Sequence, residues 1–179
     1  MKLLLHVCCG PCAVYPLEML KGEKNMEILG LFYNPNIHPY TEYKARLNSA
    51  EMLFQKPGIA FEELDSYGLD LFLKQAAFSQ NRCRECYSIR MDKIAKEASK
   101  RNCDAFSTTL LVSPYQKHDM LSEIAKEAGK KYGIEFYYRD FREGFREGQA
   151  KARDLGLYMQ KYCGCILSEQ ERYMPKRSD

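Results

Sequence analysis

Short apolar runs alternate with longer amphipathic stretches along this 179-residue chain. Lys2 to Val7 is apolar and stops at Cys8-Cys9-Gly10-Pro11, which predicts a first strand ending in a tight turn. Ala13 to Lys21 reads as a helix that closes at Gly22. Glu27 to Tyr33 has strand character, and Asn34-Pro35-Asn36 is a turn signal after it. Thr41 is the expected cap of a helix through Phe54, which Lys56-Pro57-Gly58 breaks. Ile59 to Leu64, Ala105 to Leu110 and Ile134 to Asp140 are three further strand candidates. Helices are expected over Asp70 to Phe78, Cys86 to Arg101, His118 to Tyr132 with Gly133 as its stop, Gly148 to Leu155, and Leu167 to Tyr173.

Strand following helix following strand means a largely parallel sheet with helices on its faces and helical segments at the C-terminus. The chain contains no internal repeat and no low-complexity linker, so residues 1–179 are expected to form a single α/β domain. Most residues with chemical potential come just after a predicted strand: Cys8 and Cys9, Asn34 to Asn36, Ser113 to Tyr115, and Asp140. Ligands of open α/β sheets bind outside the carboxyl ends of the strands, so these residues point to one crevice. Cys83, Cys86, Cys163 and Cys165 must reach it from other segments. No phosphate-binding Gly-x-x-x-x-Gly-Lys-Ser/Thr loop and no Gly-x-Gly-x-x-Gly is present, so neither a nucleoside triphosphate nor a dinucleotide is signalled.

Eight cysteines change this picture most. They gather in His6-Val7-Cys8-Cys9-Gly10-Pro11-Cys12, in Cys83-Arg84-Glu85-Cys86 and in Cys163-Gly164-Cys165, with Cys103 alone. The apolar stretch after Met1 is too short for an export signal and no run approaches the ~20 residues of a membrane helix, so the expected setting is the cytoplasm, with no membrane partner. Disulfide frameworks are rare there, and clustered thiols point to a metal, to electron transfer or to both. Cys83-x-x-Cys86 has chelate spacing and leads into a helix start whose N–H groups favour a negative centre. Adjacent Cys8 and Cys9 are expected to diverge, which suits an iron–sulfur cluster better than one tetrahedral zinc. Cys12 is either a further ligand or helix packing, and Cys103 is expected to be an ordinary small residue. A disulfide between Cys163 and Cys165 would close a small strained ring that Gly164 permits, the mark of a cycling redox pair; two more metal ligands are the rival reading.

His6 is expected to be a satisfied core histidine, whereas His38, in a predicted loop after a strand, and His118, where such a loop enters the next predicted helix, are within reach of a substrate. Asp140 is either a hard ligand for iron or the partner of a neighbouring arginine. The net charge of +3 is weak, but Arg139 to Arg153 and the tail residues Arg172, Lys176 and Arg177 are locally basic. Aromatic and basic residues interleave from Phe136 to Arg146, a pattern shared by base-stacking surfaces and by a core strand entering a loop.

Four motifs, in order, resemble one family: His6-x-Cys8-Cys9-x-Pro11-Cys12, Cys83-x-x-Cys86-Tyr87, Tyr138-Arg139-Asp140-Phe141-Arg142-Glu143-Gly144, and Tyr158-x-Gln160-x-Tyr162-Cys163-Gly164-Cys165. They look like the signatures of the QueH-type epoxyqueuosine reductases. The resemblance implies a Rossmann-like fold shared with PP-loop ATPases and class I tRNA synthetases (the HUP class). It implies reduction of epoxyqueuosine to queuosine at the wobble position of tRNAs for Tyr, His, Asn and Asp, whose anticodons are of the GUN type. It also implies an unidentified electron donor and a 4Fe–4S cluster on Cys8, Cys9, Cys83 and Cys86. Cys163 and Cys165 match a redox-active pair, and Asp140 with Cys12 match ligands of an additional mononuclear iron. Two other readings fit the cysteines alone: a thiol–disulfide oxidoreductase without iron, and a zinc-stabilised RNA-binding module.

Overall fold

The computed structural model describes residues 1–64 and 67–175; Lys176 and Arg177 of the basic tail lie outside them. Five strands, β1 (Lys2–His6), β2 (Glu27–Phe32), β3 (Phe61–Glu63), β4 (Ala105–Thr108) and β5 (Glu135–Phe136), form one sheet in the order β3-β2-β1-β4-β5. Every pairing is parallel. The helices are α1 (Gly10–Lys21), α2 (Tyr40–Gln55), α3 (Leu69–Phe72), α4 (Arg82–Lys100), α5 (His118–Tyr132), α6 (Phe145–Asp154) and α7 (Ile166–Tyr173). α1 packs on α2 and α6, while α4 packs on α5. Right-handed crossovers that run outward in both directions from β1 put these two groups on opposite faces of the sheet. This is the parallel α/β sheet expected from the alternation of the elements, in the Rossmann-like form that the family resemblance implies.

Covering both faces explains the unbroken apolar strands. Leu3, Leu4 and Leu5 of β1, and Ala105 and Phe106 of β4, are all fully buried. His6 stands opposite Thr108 where β1 meets β4. The chain leaves β1 for β2 on one side and reaches β4 only by the crossover from β3, so the strand order reverses between β1 and β4 and opens a crevice above their carboxyl ends. No helix among the described residues is long and apolar enough to cross a membrane.

Several boundaries differ from expectation for local reasons. α1 begins at Gly10, three residues early, because Pro11 near its start needs no N–H partner. α2 starts at Tyr40 after Pro39 rather than at a Thr41 cap. α4 starts at Arg82, where the Asn81 side chain accepts the Arg84 N–H at 3.2 Å. Cys83 and Cys86 therefore lie inside its first turns and share a face at i, i+3. The apolar run expected as strand Ile134 to Asp140 pairs with β4 over two residues only. α5 spans His118–Tyr132 as expected, with left-handed Gly133 at its end.

Gly10 is where the turn depends on close approach. A Cβ there would sit 2.5 Å from Ser49 Oγ and 2.6 Å from the Ser49 carbonyl oxygen of α2. The backbone oxygen has no rotamer to escape to. Gly10→Ala should therefore lower stability by roughly 1–3 kcal/mol, measured by denaturant unfolding; an unchanged midpoint would show that α1 can shift without loss.

Candidate metal and redox centre

The strand-to-helix turn after β1 presents three thiols together. Cys9 is extended backbone at the cap of α1, and Cys12 lies in the first turn. Among the described residues, Cys8, Cys9 and Cys12 form the group of ligand-type side chains that closes on itself, with every Sγ within 4.8 Å of the others. The Cys8 and Cys9 sulfurs are 3.8 Å apart. Adjacent side chains are expected to diverge, yet in this turn the two sulfurs converge. All three are buried. Thr109, just past β4, ties the turn across the switch point: its hydroxyl accepts the Cys8 N–H at 3.1 Å and donates to Cys8 Sγ at 3.3 Å. Hydrogen bonds from Cys12 and then Cys9 pull the Cys8 thiol well below its usual range. Burial pushes Cys9 up, and the hydrogen bond to Cys8 pushes Cys12 up. Cys8 is thus the sulfur on which hydrogen bonds from its neighbours converge.

Two buried arginines answer this negative charge. Arg90 of α4 donates to the Cys86 carbonyl at 3.1 Å and to Cys86 Sγ at 3.3 Å. Burial opposes its charge, but the fields of Cys86, Cys163 and Cys8 hold it protonated. Burial pushes Cys86 itself up to about 11 against the pull of Arg90. Arg46 of α2 is likewise opposed by burial and supported by Cys9, Glu42 and Cys8. Cys83, partly exposed, and Cys86 stay outside the close triad, although the charges of Cys8 and Cys86 both reach Arg90.

Residues 156–165 form a strap above this centre. The side chains of Tyr158, Gln160 and Tyr162 tie it down. Tyr158 donates to Glu42, Gln160 to Cys12 Sγ at 3.3 Å, and Tyr162 to the His38 carbonyl at 2.6 Å. Arg46 donates to the carbonyls of Tyr162 at 2.9 Å and Cys163 at 3.0 Å while pairing with Glu42 at 2.7 Å. Gly164 has φ +136°, and a Cβ there would press on Ile37 and Arg46. The two cysteines beside it part ways. Cys163 is exposed, lines the cleft and takes a weak contact from Gln116 Nε2 at 3.8 Å. Cys165 is buried with Phe72 and Ala76, and its sulfur accepts the Ser168 N–H at 3.3 Å at the start of α7. All eight cysteines are free thiols.

The remaining candidates fall elsewhere. His6 is fully buried, bonded to Thr108 Oγ1 at 2.8 Å and to the Tyr33 carbonyl at 3.1 Å, and burial lowers its pKa to about 4. His38 and His118 do not reach the cleft as expected of loop residues. His38 lies under the strap against Phe72, and His118 starts α5 and meets the Tyr138 hydroxyl. Asp140 is not among the cleft walls; Arg142 engages both of its oxygens and holds its pKa at about 2. The interleaved segment is mostly scaffold, with Phe141 fully buried and Gly144 admitting the ring of Tyr15, which a Cβ would meet at 2.2 Å. Cys103 is buried against the core, as a small residue would be.

Above Cys8 and Cys12 opens a cleft of about 780 Å³, walled also by Cys163, Arg46 and Arg90. Its lining includes six arginines and lysines and no carboxylate. Sequence reading singled out neither arginine at its floor. Arg90, four residues beyond Cys86, carried a readable signal; Arg46, four beyond Glu42, looks like any surface helix pair.

The sequence model of the family described as "Epoxyqueuosine reductase QueH" matches residues 3–171. A protein of that name from Dehalococcoides mccartyi is 34% identical over 96% of this chain and 94% of its own length. Its namesake from Thermotoga maritima is 34% identical over 94% of this chain and 91% of its own length. Among solved structures, a predicted subunit of a tRNA methyltransferase from Methanocaldococcus jannaschii superposes with a TM-score of 0.53 at 11% identity, over 86% of this chain and 76% of that one, a likeness of fold.

Proposed function

We propose a division of labour among the cysteines from one premise: the chain belongs to the epoxyqueuosine reductase family QueH. It is an oxidoreductase that reduces epoxyqueuosine in tRNA to queuosine. The epoxide, two electrons and two protons become an alkene and water. The observation that carries the site assignment is the buried Cys8–Cys9–Cys12 group at the floor of a cationic cleft at the sheet's switch point.

Cys8, Cys9, Cys83 and Cys86 are the residues to hold a 4Fe–4S cluster, with Cys12 beside them for an additional iron. The donor set fits: thiolates are the ligands such clusters take, and buried Arg46 and Arg90 offset their charge. Asp140 is the candidate carboxylate ligand of that iron, and Arg142 engages both of its oxygens. When bound, the group supplies electrons singly and a Lewis acid for the departing oxygen. The chain supplies the rest. Arg90 and Thr109 fix Cys86 and Cys8 by hydrogen bonds to sulfur, and Gln160 of the strap fixes Cys12. Protic groups on the cleft wall are the Cys163 thiol and the hydroxyls of Ser113, Tyr115 and Tyr162. The substrate is a tRNA with a GUN-type anticodon, and an external donor delivers electrons through exposed Cys163, working with Cys165.

The test is anaerobic purification, iron and acid-labile sulfide analysis, then incubation with epoxyqueuosine-containing tRNA and a reductant. Iron with sulfide, and queuosine formed, is expected. Stoichiometric zinc or no metal would overturn the iron assignment, and iron-replete protein that forms no queuosine would overturn the activity. The redox pair has a separate test, because serine can replace Cys165 as the cap of α7. Both Cys163→Ser and Cys165→Ser should keep their iron and lose turnover with a physiological donor. An active Cys165→Ser enzyme would reduce that cysteine to a helix cap.

A further inference from the structure

The arginines of this chain divide cleanly. Ten lie among the described residues, and six of them pair with carboxylates: Arg46, Arg82, Arg84, Arg101, Arg139 and Arg142. The four without a carboxylate partner among the described residues are Arg90, Arg146, Arg153 and Arg172, and all four line the cleft. Arg90 is buried at its floor; the other three are exposed. Arg146 and Arg153 are seven residues apart on α6, with Gln149 between them on the same face. Lys161, on the strap, also lines the cleft and is likewise unpaired. A solvated helix face would carry both signs, and α6 does so elsewhere, where Glu147 pairs with Lys151. The face turned to the cleft carries only positive charge. Beside it stands Tyr115, 83% exposed, its ring supported edge-on by Phe145 at 5.8 Å. An apolar ring left this bare, next to unpaired guanidinium groups, suits a partner that brings both phosphates and flat faces.

We propose that Arg146, Arg153 and Arg172 hold the phosphates of a single-stranded RNA loop around the target nucleotide, while Tyr115, backed by Phe145, stacks a neighbouring base. This rests on the tRNA-reducing activity above and assigns its recognition surface. A duplex offers no free base face to Tyr115, whereas an unstacked loop does. Guanidinium groups with no internal carboxylate release counterions when phosphate arrives, which makes binding depend on salt.

The experiment measures binding of a tRNA transcript with a GUN anticodon by fluorescence anisotropy across a salt series. Each of Arg146→Gln, Arg153→Gln and Arg172→Gln should flatten the slope of log K against log salt by about 0.7, and the triple variant by about 2. Tyr115→Ala should weaken binding roughly five- to hundredfold at unchanged slope, with Tyr115→Phe restoring it. Lys130→Gln, at an exposed position of α5 outside the cleft lining, should change neither quantity. All are surface changes, so circular dichroism and iron content should match the parent. A triple variant with the parent's slope, or a Tyr115→Phe as weak as Tyr115→Ala, overturns the proposal. Parent protein that binds the transcript but forms no queuosine on epoxyqueuosine-containing tRNA fails the activity and leaves the binding result to be read separately.

Discussion

Cys8→Ser is expected to strip the centre of iron and to lower epoxide reduction by more than about a hundredfold. The magnitude follows from position. Partners that only orient metal ligands cost roughly 10–100-fold when removed, and Cys8 is the sulfur on which such partners converge. It accepts from Thr109, and its two neighbouring thiols lie within 4.8 Å. A serine hydroxyl keeps the shape but not the soft anionic donor that iron–sulfur chemistry requires. Compared metal-free, the two proteins should differ little in stability, because oxygen for sulfur removes no large buried group; the loaded parent keeps in addition whatever its centre contributes. Iron analysis, the visible absorption of the purified protein and turnover on epoxyqueuosine-containing tRNA are the readouts. A Cys8→Ser protein with full iron and full colour would move the ligand set away from the strand-to-helix turn. Cys103→Ala, remote from the cleft lining, provides the contrast and should keep all three.

Arg46→Ala is expected to cost roughly 3–5 kcal/mol, and to release the strap. Arg46 is 2% exposed, and its loss leaves buried Glu42 without its cation. The carbonyls of Tyr162 and Cys163 lose their donors at the same time. With them goes the register of Cys163 over the cleft and one of the two positive charges beside Cys8 and Cys9. Denaturant unfolding would measure the first effect. Limited proteolysis between Tyr158 and Cys165 would measure the second, since a loosened strap is cut faster than the folded body. Parent-like stability in Arg46→Ala would show that the Glu42 pair is worth no more than a surface contact. Arg46→Lys separates charge from shape: one ammonium cannot reach Glu42 and both carbonyls as a guanidinium fork does, so it should recover only part of the loss.

Much of the framework could be read from the chain because periodicity is a local property. Apolar runs at Lys2 to Val7 and Ala105 to Leu110 became β1 and β4, and the helix from His118 to Tyr132 appeared with its Gly133 stop in place. Errors gathered where tertiary contact overrides local pattern. The run from Ile134 to Asp140 pairs at only two residues although β4 continues to Thr108, so its apolar pattern outruns the ladder it makes. The motif Tyr138 to Gly144 could be recognised, yet its logic is packing: Phe141 fills the core and Gly144 makes room for Tyr15. His38 and His118, plausible in loops, are buried away from the cleft walls.

Residue type and spacing were enough for the α/β class, for the three cysteine clusters and, through four ordered motifs, for the family, since all of these are written in short stretches of chain. How the thiols are arranged was not. Cys12 joins Cys8 and Cys9 because one turn of backbone folds it back, whereas Cys165 leaves its neighbour Cys163 to cap a helix. Arg46 and Arg90 face the thiolates from helices far apart in sequence, and the three unpaired arginines at the mouth meet there from α6 and α7. A buried charge is defined by what surrounds it, and those surroundings exist only once the sheet has brought distant segments to the carboxyl ends of β1 and β4.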